Sequence, residues 1–361
     1  MKRKSKTILY CILDWGLGHA TRSIPIIRAL LQKGHSVIMV STGRSLALLQ
    51  REFSGMAPWI AFPDYNVRYH RTGVCLLPSV LCQLPRIFNR ILIEHIETER
   101  WVHQLGVDVV ISDNRYGCFS KKVPSYLITH QLRFQLPKGF QWSAVTSEVF
   151  NAYWAKQYRL ILVPDVEGVP NLSGALSHSG WISRHPKIRY IALLSSLEPP
   201  EQSFKTPIDY LFLISGPEPQ RTVFEQIVLN QIQDLKGEKR VVLGKPEETR
   251  TKNPWIFPHV SRKELVQWMK NAQWVIARCG YSTLMELMAL EKKAVLVPTP
   301  GQPEQIYLAT HVQNSGLFYT VKQHRFDFKK NLKEAKGFYE KSRPRLPYNQ
   351  TQKILEILEL E

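Results

Sequence analysis

Short runs of β-branched and apolar residues alternate with longer helical stretches, twice over, along this chain of 361 residues. That alternation constrains the fold more than any other feature. The run ILYCIL at 8–13 has no polar face, so it suits a strand buried on both sides. Such strands pair in parallel, under helices on both faces of the sheet. In the first half, strands are expected at 8–13, 36–41, 107–112, 125–129 and 160–163, with an amphipathic helix over 21–33. In the second half, strands are expected at 210–215, 240–243, 274–277 and 294–297. The helices between them fall at 219–236, 261–271 and 281–290, and Ser261 is placed to cap the second of these. A proline-rich polar stretch, 197–203, separates the halves. The expected division is a first domain over 1–197, a linker over 198–207, a second domain over 208–345 and a C-terminal helix over 346–361. That helix has Ile354, Leu355, Ile357 and Leu358 available to pack back across the linker. The length suffices for two cores.

Lysine and arginine number 48 against 30 aspartates and glutamates, a net charge of +18. The excess favours an anionic partner: nucleic acid, anionic lipid or a phosphorylated substrate. The chain has no zinc-finger spacing, RNA-recognition signature or basic low-complexity tail, which argues against a nucleic-acid module. Cys11, Cys75, Cys82, Cys118 and Cys279 stand singly, which argues against a disulfide framework and a zinc site. The longest apolar run, 74–84, is broken by Pro78 and followed by Pro85, too short to cross a membrane. The basic start, Met1 to Lys6, leads directly into a strand rather than into a signal-peptide core, so a cytoplasmic location is expected.

In open parallel sheets ligands bind at the carboxyl ends of strands, and the chemically informative residues follow strands here. Asp14-Trp15-Gly16-Leu17-Gly18-His19 follows the first strand. Its glycines allow a tight turn and close approach to a ligand, but the spacing is not that of a dinucleotide fingerprint. His19 falls at a helix start, where the positive partial charge disfavours imidazolium and leaves a base. Asp113 ends another strand of the same sheet and can reach His19 to set its tautomer. In the second half, Arg278-Cys279-Gly280-Tyr281-Ser282-Thr283 turns from strand to helix. The amides of Tyr281, Ser282 and Thr283 form an anion site for a diphosphate. Glu286 lies on the same helical face, placed to accept the hydroxyls of a ribose. The proline-stiffened loop with Gln302, Glu304 and Gln305 offers acceptors to sugar hydroxyls. The turn at Ser215-Gly216 can face the diphosphate from the other side.

Together these residues resemble the family-28 glycosyltransferases, which include the enzyme that adds N-acetylglucosamine to the lipid-linked peptidoglycan precursor. The similarity is strongest over 254–321, through Pro258-His259-Val260, Arg278 to Thr283, Glu286 and Glu304-Gln305. Gly18-His19 also matches. The resemblance implies an α/β fold of the GT-B kind, with two doubly wound Rossmann-like domains facing a central cleft. It implies an inverting, metal-independent hexosyl transfer from a UDP-sugar to a hydroxyl acceptor, with no cofactor beyond that co-substrate. Gly18, Ser215, Gly216, Gly280 to Thr283 and Arg278 would then serve the donor's phosphates. Val260 would meet the uracil through its backbone, Glu286 the ribose, and Gln302, Glu304 and Gln305 the sugar. His19, steadied by Asp113, would deprotonate the acceptor. The family's best-known member has glutamine where this chain has Glu304. The stretch Gly16-Leu17-Gly18-His19-Ala20-Thr21-Arg22 also resembles a sugar-nucleotide hydrolase of the same fold. Hydrolysis and non-catalytic UDP-sugar binding therefore stand as alternatives. The segment 76–105 mixes apolar residues with Arg86 and Arg90. It reads either as a helix packed in the first domain or as a face on the inner surface of the cytoplasmic membrane, admitting a lipid-linked, cell-envelope acceptor.

Overall fold

The computed structural model describes residues 5–65, 76–135, 144–196, 207–245, 253–341 and 344–360. All but the last residue of the expected 198–207 linker lies outside these. The chain divides into two compact units: Met1–Ser196 with Pro347–Glu361, and Leu197–Leu346.

The first unit contains β1 (Thr7–Ile12), α1 (Gly18–Gln32), β2 (Ser36–Ser41), α2 (Gly43–Glu52), β3 (Trp59–Ala61), α3 (Leu76–Gln104), β4 (Val109–Asp113), β5 (Ser125–Ile128), α4 (Ala144–Ala155), β6 (Leu160–Val163), α5 (Ala175–His178) and β7 (Ile188–Tyr190). Its strands pair in parallel in the order β3-β2-β1-β4-β5-β6-β7. The order reverses between β1 and β4, the kind of position where ligands bind in such sheets. The register sets Ile12 beside Asp113. Residues 8–12 of β1 and all of β4 are buried, as continuous apolar runs covered on both faces should be. The helix expected over 21–33 starts a turn earlier, at Gly18, and buries Ala20, Ile24, Ile27 and Leu30. It stops at Gly34, whose φ of 83° lies in the left-handed region. There the amides of Gly34 and His35 donate to Leu31 O and Leu30 O, satisfying carbonyls the helix leaves open.

A buried ion pair fixes α3. Arg115 Nε donates to Glu94 Oε1 at 2.9 Å, and both side chains are fully buried. The remaining guanidinium nitrogens donate to the carbonyls of Phe62 and Pro63. Glu94 Oε2 accepts from Tyr65 Oη and Gly117 N. With these lone pairs and protons answered, two charges are tolerable in the interior. The network ties α3 to the loops after β3 and β4, next to the end of the strand that carries Asp113.

The second unit contains β8 (Ile208–Leu213), α6 (Gln220–Ile232), β9 (Lys239–Val242), β10 (Ile256–Phe257), α7 (Arg262–Asn271), β11 (Ala272–Ala277), α8 (Tyr281–Ala289), β12 (Lys293–Leu296), α9 (Pro303–Asn314), β13 (Tyr319–Thr320) and α10 (Phe328–Tyr339). Its parallel order is β10-β9-β8-β11-β12-β13. The reversal again falls between the first strand and the fourth, β8 and β11. Phe212, Ile276 and Val295 from the strands meet Phe224, Val228, Phe328 and Leu332 from the helices in one core. Ser261 caps α7 as expected, in a reciprocal capping box with Glu264.

The terminal helix, α11 (Thr351–Ile357), belongs to the first unit. Ile354, Leu355, Leu358 and Leu360 are buried. The Leu360 carbonyl lies 3.0 Å from His35 Nε2, just past the end of α1, and the Leu358 carbonyl accepts from Tyr126 Oη of β5 at 3.3 Å.

Candidate active site

Two sets of residues gather at carboxyl ends of strands, one in each unit. In the first unit, the turn after β1 leads directly into α1, which puts His19 in the helix's first turn. Asp113 closes β4, the neighbouring strand. His19 Nδ1 stands 2.7 Å from Asp113 Oδ1, so these two residues come together. Arg22, one helical turn beyond His19, also reaches the carboxylate. Its Nε donates to Asp113 Oδ2 at 2.7 Å and its Nη2 donates to Oδ1. Arg22 Nη1 is 3.2 Å from His130 Nδ1, in the turn after β5. Ser23 Oγ donates to the His19 carbonyl at 2.8 Å and lies 3.3 Å from Asp113 Oδ2.

Burial alone would raise the Asp113 pKa, but the charges of Arg22 and His19 and their hydrogen bonds outweigh it and hold it well below the usual carboxylate range. An ionised Asp113 requires Nδ1 of His19 to be the protonated nitrogen. The lone pair then sits on Nε2, the arrangement a general base needs. The His19 pKa itself is lowered, by burial first and by the Arg22 charge second, against the pull of Asp113. Gly18, expected to lie close to a donor, is the first residue of α1.

In the second unit the turns after β8, β11 and β12 form the other set. Gly280 caps α8 in an extended conformation, with no side-chain acceptor and no acidic residue in the first turn. The starts of α7 and α10 differ: Ser261 with Glu264, and Asp327, bond their amides. A helix start without such partners favours an anion. Tyr281 is buried, whereas Ser282 and Thr283 are partly exposed. Glu286 is nearly buried and ion-paired with Arg262, the first residue of α7. It is therefore not the solvated carboxylate of an ordinary helix surface. Val260, buried, lies two residues before Arg262.

Arg278 does not present its charge as the sequence led us to expect. Its side chain is buried over the Phe224 ring. Its guanidinium faces the carbonyls of Ser215, Val297 and Gln220 at 3.3, 3.3 and 2.8 Å. Burial lowers its pKa to about 10. It thus holds three strand-end turns together rather than reaching toward a phosphate. Gly216 has a φ of 111°, and a Cβ there would sit 3.4 Å from Thr299 Oγ1. The Ser215-Gly216 and Thr299 turns therefore touch. Past β12, Gln305 Oε1 accepts from Thr299 N at 3.0 Å and Gln305 Nε2 donates to Gln302 Oε1 at 2.5 Å. These bonds pre-form the loop at the start of α9. Glu304 lies in the first turn of α9, and its charge adds to burial in pushing up the Cys279 thiol pKa.

Sequence reasoning did not single out Arg22, His130, Arg262 or Thr299 as site residues. Arg22 carried a signal, since a residue three beyond His19 on a helix shares its face. The others are brought in by pairings between segments far apart in the chain. Among the described residues, Cys11, Cys118 and Cys279 are free and buried. No described group of three or more His, Cys, Asp or Glu is placed to hold a metal, and no described helix is long and apolar enough to cross a membrane.

Known proteins match both units. Residues 229–353 match the glycosyltransferase family 28 C-terminal domain, and residues 6–127 match glycosyl transferase family 1. A UDP-N-acetylglucosamine–N-acetylmuramyl-(pentapeptide) pyrophosphoryl-undecaprenol N-acetylglucosamine transferase of Methylorubrum extorquens (strain PA1) is 30% identical over 171 residues. The aligned stretch is 43% of this chain and 45% of that relative, so the chain matches under half of the relative's length. An uncharacterized glycosyltransferase of Methanosarcina acetivorans is 23% identical over 86% of this chain and 84% of its own. Among solved structures, the glycotransferase of kitacinnamycin superposes with a TM-score of 0.64 at 13% identity, over 99% of both chains. The two parallel sheets, with their reversals at β1/β4 and β8/β11, are thus those of the GT-B fold, and residues 229–353 carry the family 28 C-terminal domain match.

Proposed function

We propose that the chain transfers a hexose or N-acetylhexosamine from a UDP-sugar to a hydroxyl acceptor, with inversion and without a metal. The observation that carries this reading is the buried contact of His19 with Asp113 at 2.7 Å, at the sheet reversal of the first unit. Nε2 of His19 takes the acceptor's proton as the acceptor oxygen attacks the anomeric carbon. The bond from that carbon to the diphosphate breaks in the same displacement, and UDP departs with the electron pair. The amides at the start of α8, with the hydroxyls of Ser282 and Thr283, take up the developing negative charge. Glu286 binds the ribose, the backbone at Val260 the uracil, and Gln302, Glu304 and Gln305 the sugar. Arg278 acts one step back, by holding the turns that make these contacts.

The proposed acceptor is lipid-linked, met at the inner face of the cytoplasmic membrane as a cell-envelope precursor. Phe88, Leu92 and Ile96 form an exposed stripe on α3, and Val145, Val149 and Tyr153 form another on α4. The Phe88 and Phe150 rings are 6.3 Å apart, so the two helices adjoin. Arg86, Arg100 and Lys156 are exposed on the same helices or just beyond them, and the chain's net charge is +18. Apolar stripes with basic neighbours suit an anionic bilayer.

The test uses nucleotide thermal shift together with transfer. UDP should raise the melting temperature of the wild type, since a ligand of the folded state stabilises it. His19→Ala should lose transfer by about 100-fold or more, as expected for a general base, while keeping its UDP shift. Glu286→Ala should lose most of that shift. Wild-type transfer by both variants would sink the assignment. Release of UDP from donor alone, at the same rate with and without acceptor, would make the activity hydrolysis.

A further inference from the structure

A histidine paired with a buried aspartate ordinarily gains basicity, because the nearby anion draws a proton onto the ring. Here the anion is not left to the histidine. Arg22 engages both oxygens of Asp113, and its guanidinium also lies 3.0 Å from His19 Nδ1. An arginine N–H can only donate, so it cannot bond a His19 Nδ1 that is itself donating to Asp113. The shared partner of the two cations is the carboxylate. Arg22 is 1% exposed and Asp113 is fully buried, so solvent screens little of this arrangement.

We propose that Arg22 is a positioning residue for His19: by cancelling the charge of Asp113, it lets the carboxylate anchor the imidazole without loading a proton onto it. This deepens the reading of His19 as base and rests on it for its purpose. The charged and titratable groups acting on the ring are Asp113 from β4, Arg22 from α1 and His130 from the turn after β5, while Ser23 from α1 and Tyr10 from β1 act on Asp113, which with burial raises the Tyr10 pKa. Arg22 is the one permanent cation among them. The lowered His19 pKa agrees with the geometry, since after burial the Arg22 charge is its largest cause. A base with a lowered pKa stays unprotonated as pH falls below neutrality. Its activity is lost only as pH drops through the folded-state value, beneath the ordinary histidine value of about 6.5.

The experiment is an NMR titration of His19 in the full chain without substrate, beside the pH profile of transfer. Wild-type His19 should titrate below about 6.5 with the proton on Nδ1. Arg22→Gln exposes the Asp113 charge, so the midpoint should rise by about one unit or more. The acid limb of transfer should move to higher pH by the same amount. Arg22→Lys keeps the charge and should keep the midpoint low. A merely structural Arg22 would alter melting temperature without moving the midpoint. A wild-type midpoint at or above 6.5, or the same midpoint in Arg22→Gln as in wild type, would overturn the proposal. If Arg22→Gln does not fold, wild type and Arg22→Lys decide it: both must titrate low, and a normal or raised midpoint in either rejects it. The titration needs no turnover, so a correct midpoint without transfer would refute the base assignment and not the charge arrangement.

Discussion

Among the described residues, the Thr299 hydroxyl has nothing to bond. The residue is fully buried, and its Oγ1 has no partner among the described residues. A buried polar atom without a partner costs stability, so one that persists calls for a reason. The hydroxyl lies beside the Gly216 turn, in the loop whose later residues are proposed to meet the donor sugar. Thr299→Val keeps the shape and removes the hydroxyl. If the hydroxyl bonds the donor, the variant should bind UDP-sugar about 3- to 10-fold more weakly, the usual worth of one hydrogen bond. Its melting temperature should hold or rise. Unchanged affinity by titration calorimetry would show that the hydroxyl serves no ligand. No sequence signal pointed to this atom, because its isolation depends on the packing of three separate turns. His19 and Asp113 were legible for the opposite reason. Each follows or closes an apolar strand, and adjacent parallel strands bring such ends together. The Arg262–Glu286 pair was not legible, since its two residues lie on separate helices, 24 positions apart in the chain.

The interior strands were the readable elements, because burial on both faces writes them as unbroken apolar runs. The edge strands β3, β7, β10 and β13 have two or three residues each and are partly exposed, so nothing in their composition separates them from loops. Helix α3 shows both readings of its segment at once. Ile91, Trp101 and Val102 are buried in the first unit, while Phe88, Leu92 and Ile96 face outward. Replacing those three with serine removes apolar area from water contact and little from the core, so the fold should hold. Binding to vesicles rich in anionic lipid should fall several-fold in co-sedimentation, and transfer to a water-soluble acceptor should stay near wild type. Equal vesicle binding by the variant would reject the membrane face. Retention of binding in high salt would show that the basic neighbours contribute little.

At the scale of the molecule, the repeated strand–helix alternation was sufficient to foresee two parallel sheets. The apolar positions of the last helix pointed to its return across the linker, but the point of re-entry was not legible, because that depends on pairing across the whole chain. The return is specific. Leu193 pairs with Tyr348 in parallel, and Asn349 exchanges hydrogen bonds with Ser195, N to Oδ1 at 2.8 Å and Nδ2 to O at 2.6 Å. The chain therefore leaves the first unit and re-enters it at a single stitched point, and everything from 197 to 346 is topologically an insert. A gene in which a short glycine–serine bridge replaces that insert should encode a free-standing first unit. Such a protein should melt cooperatively, show the wild-type His19 resonance and ignore UDP, making the stitch a natural seam along which the second unit of one such chain can be exchanged for that of another.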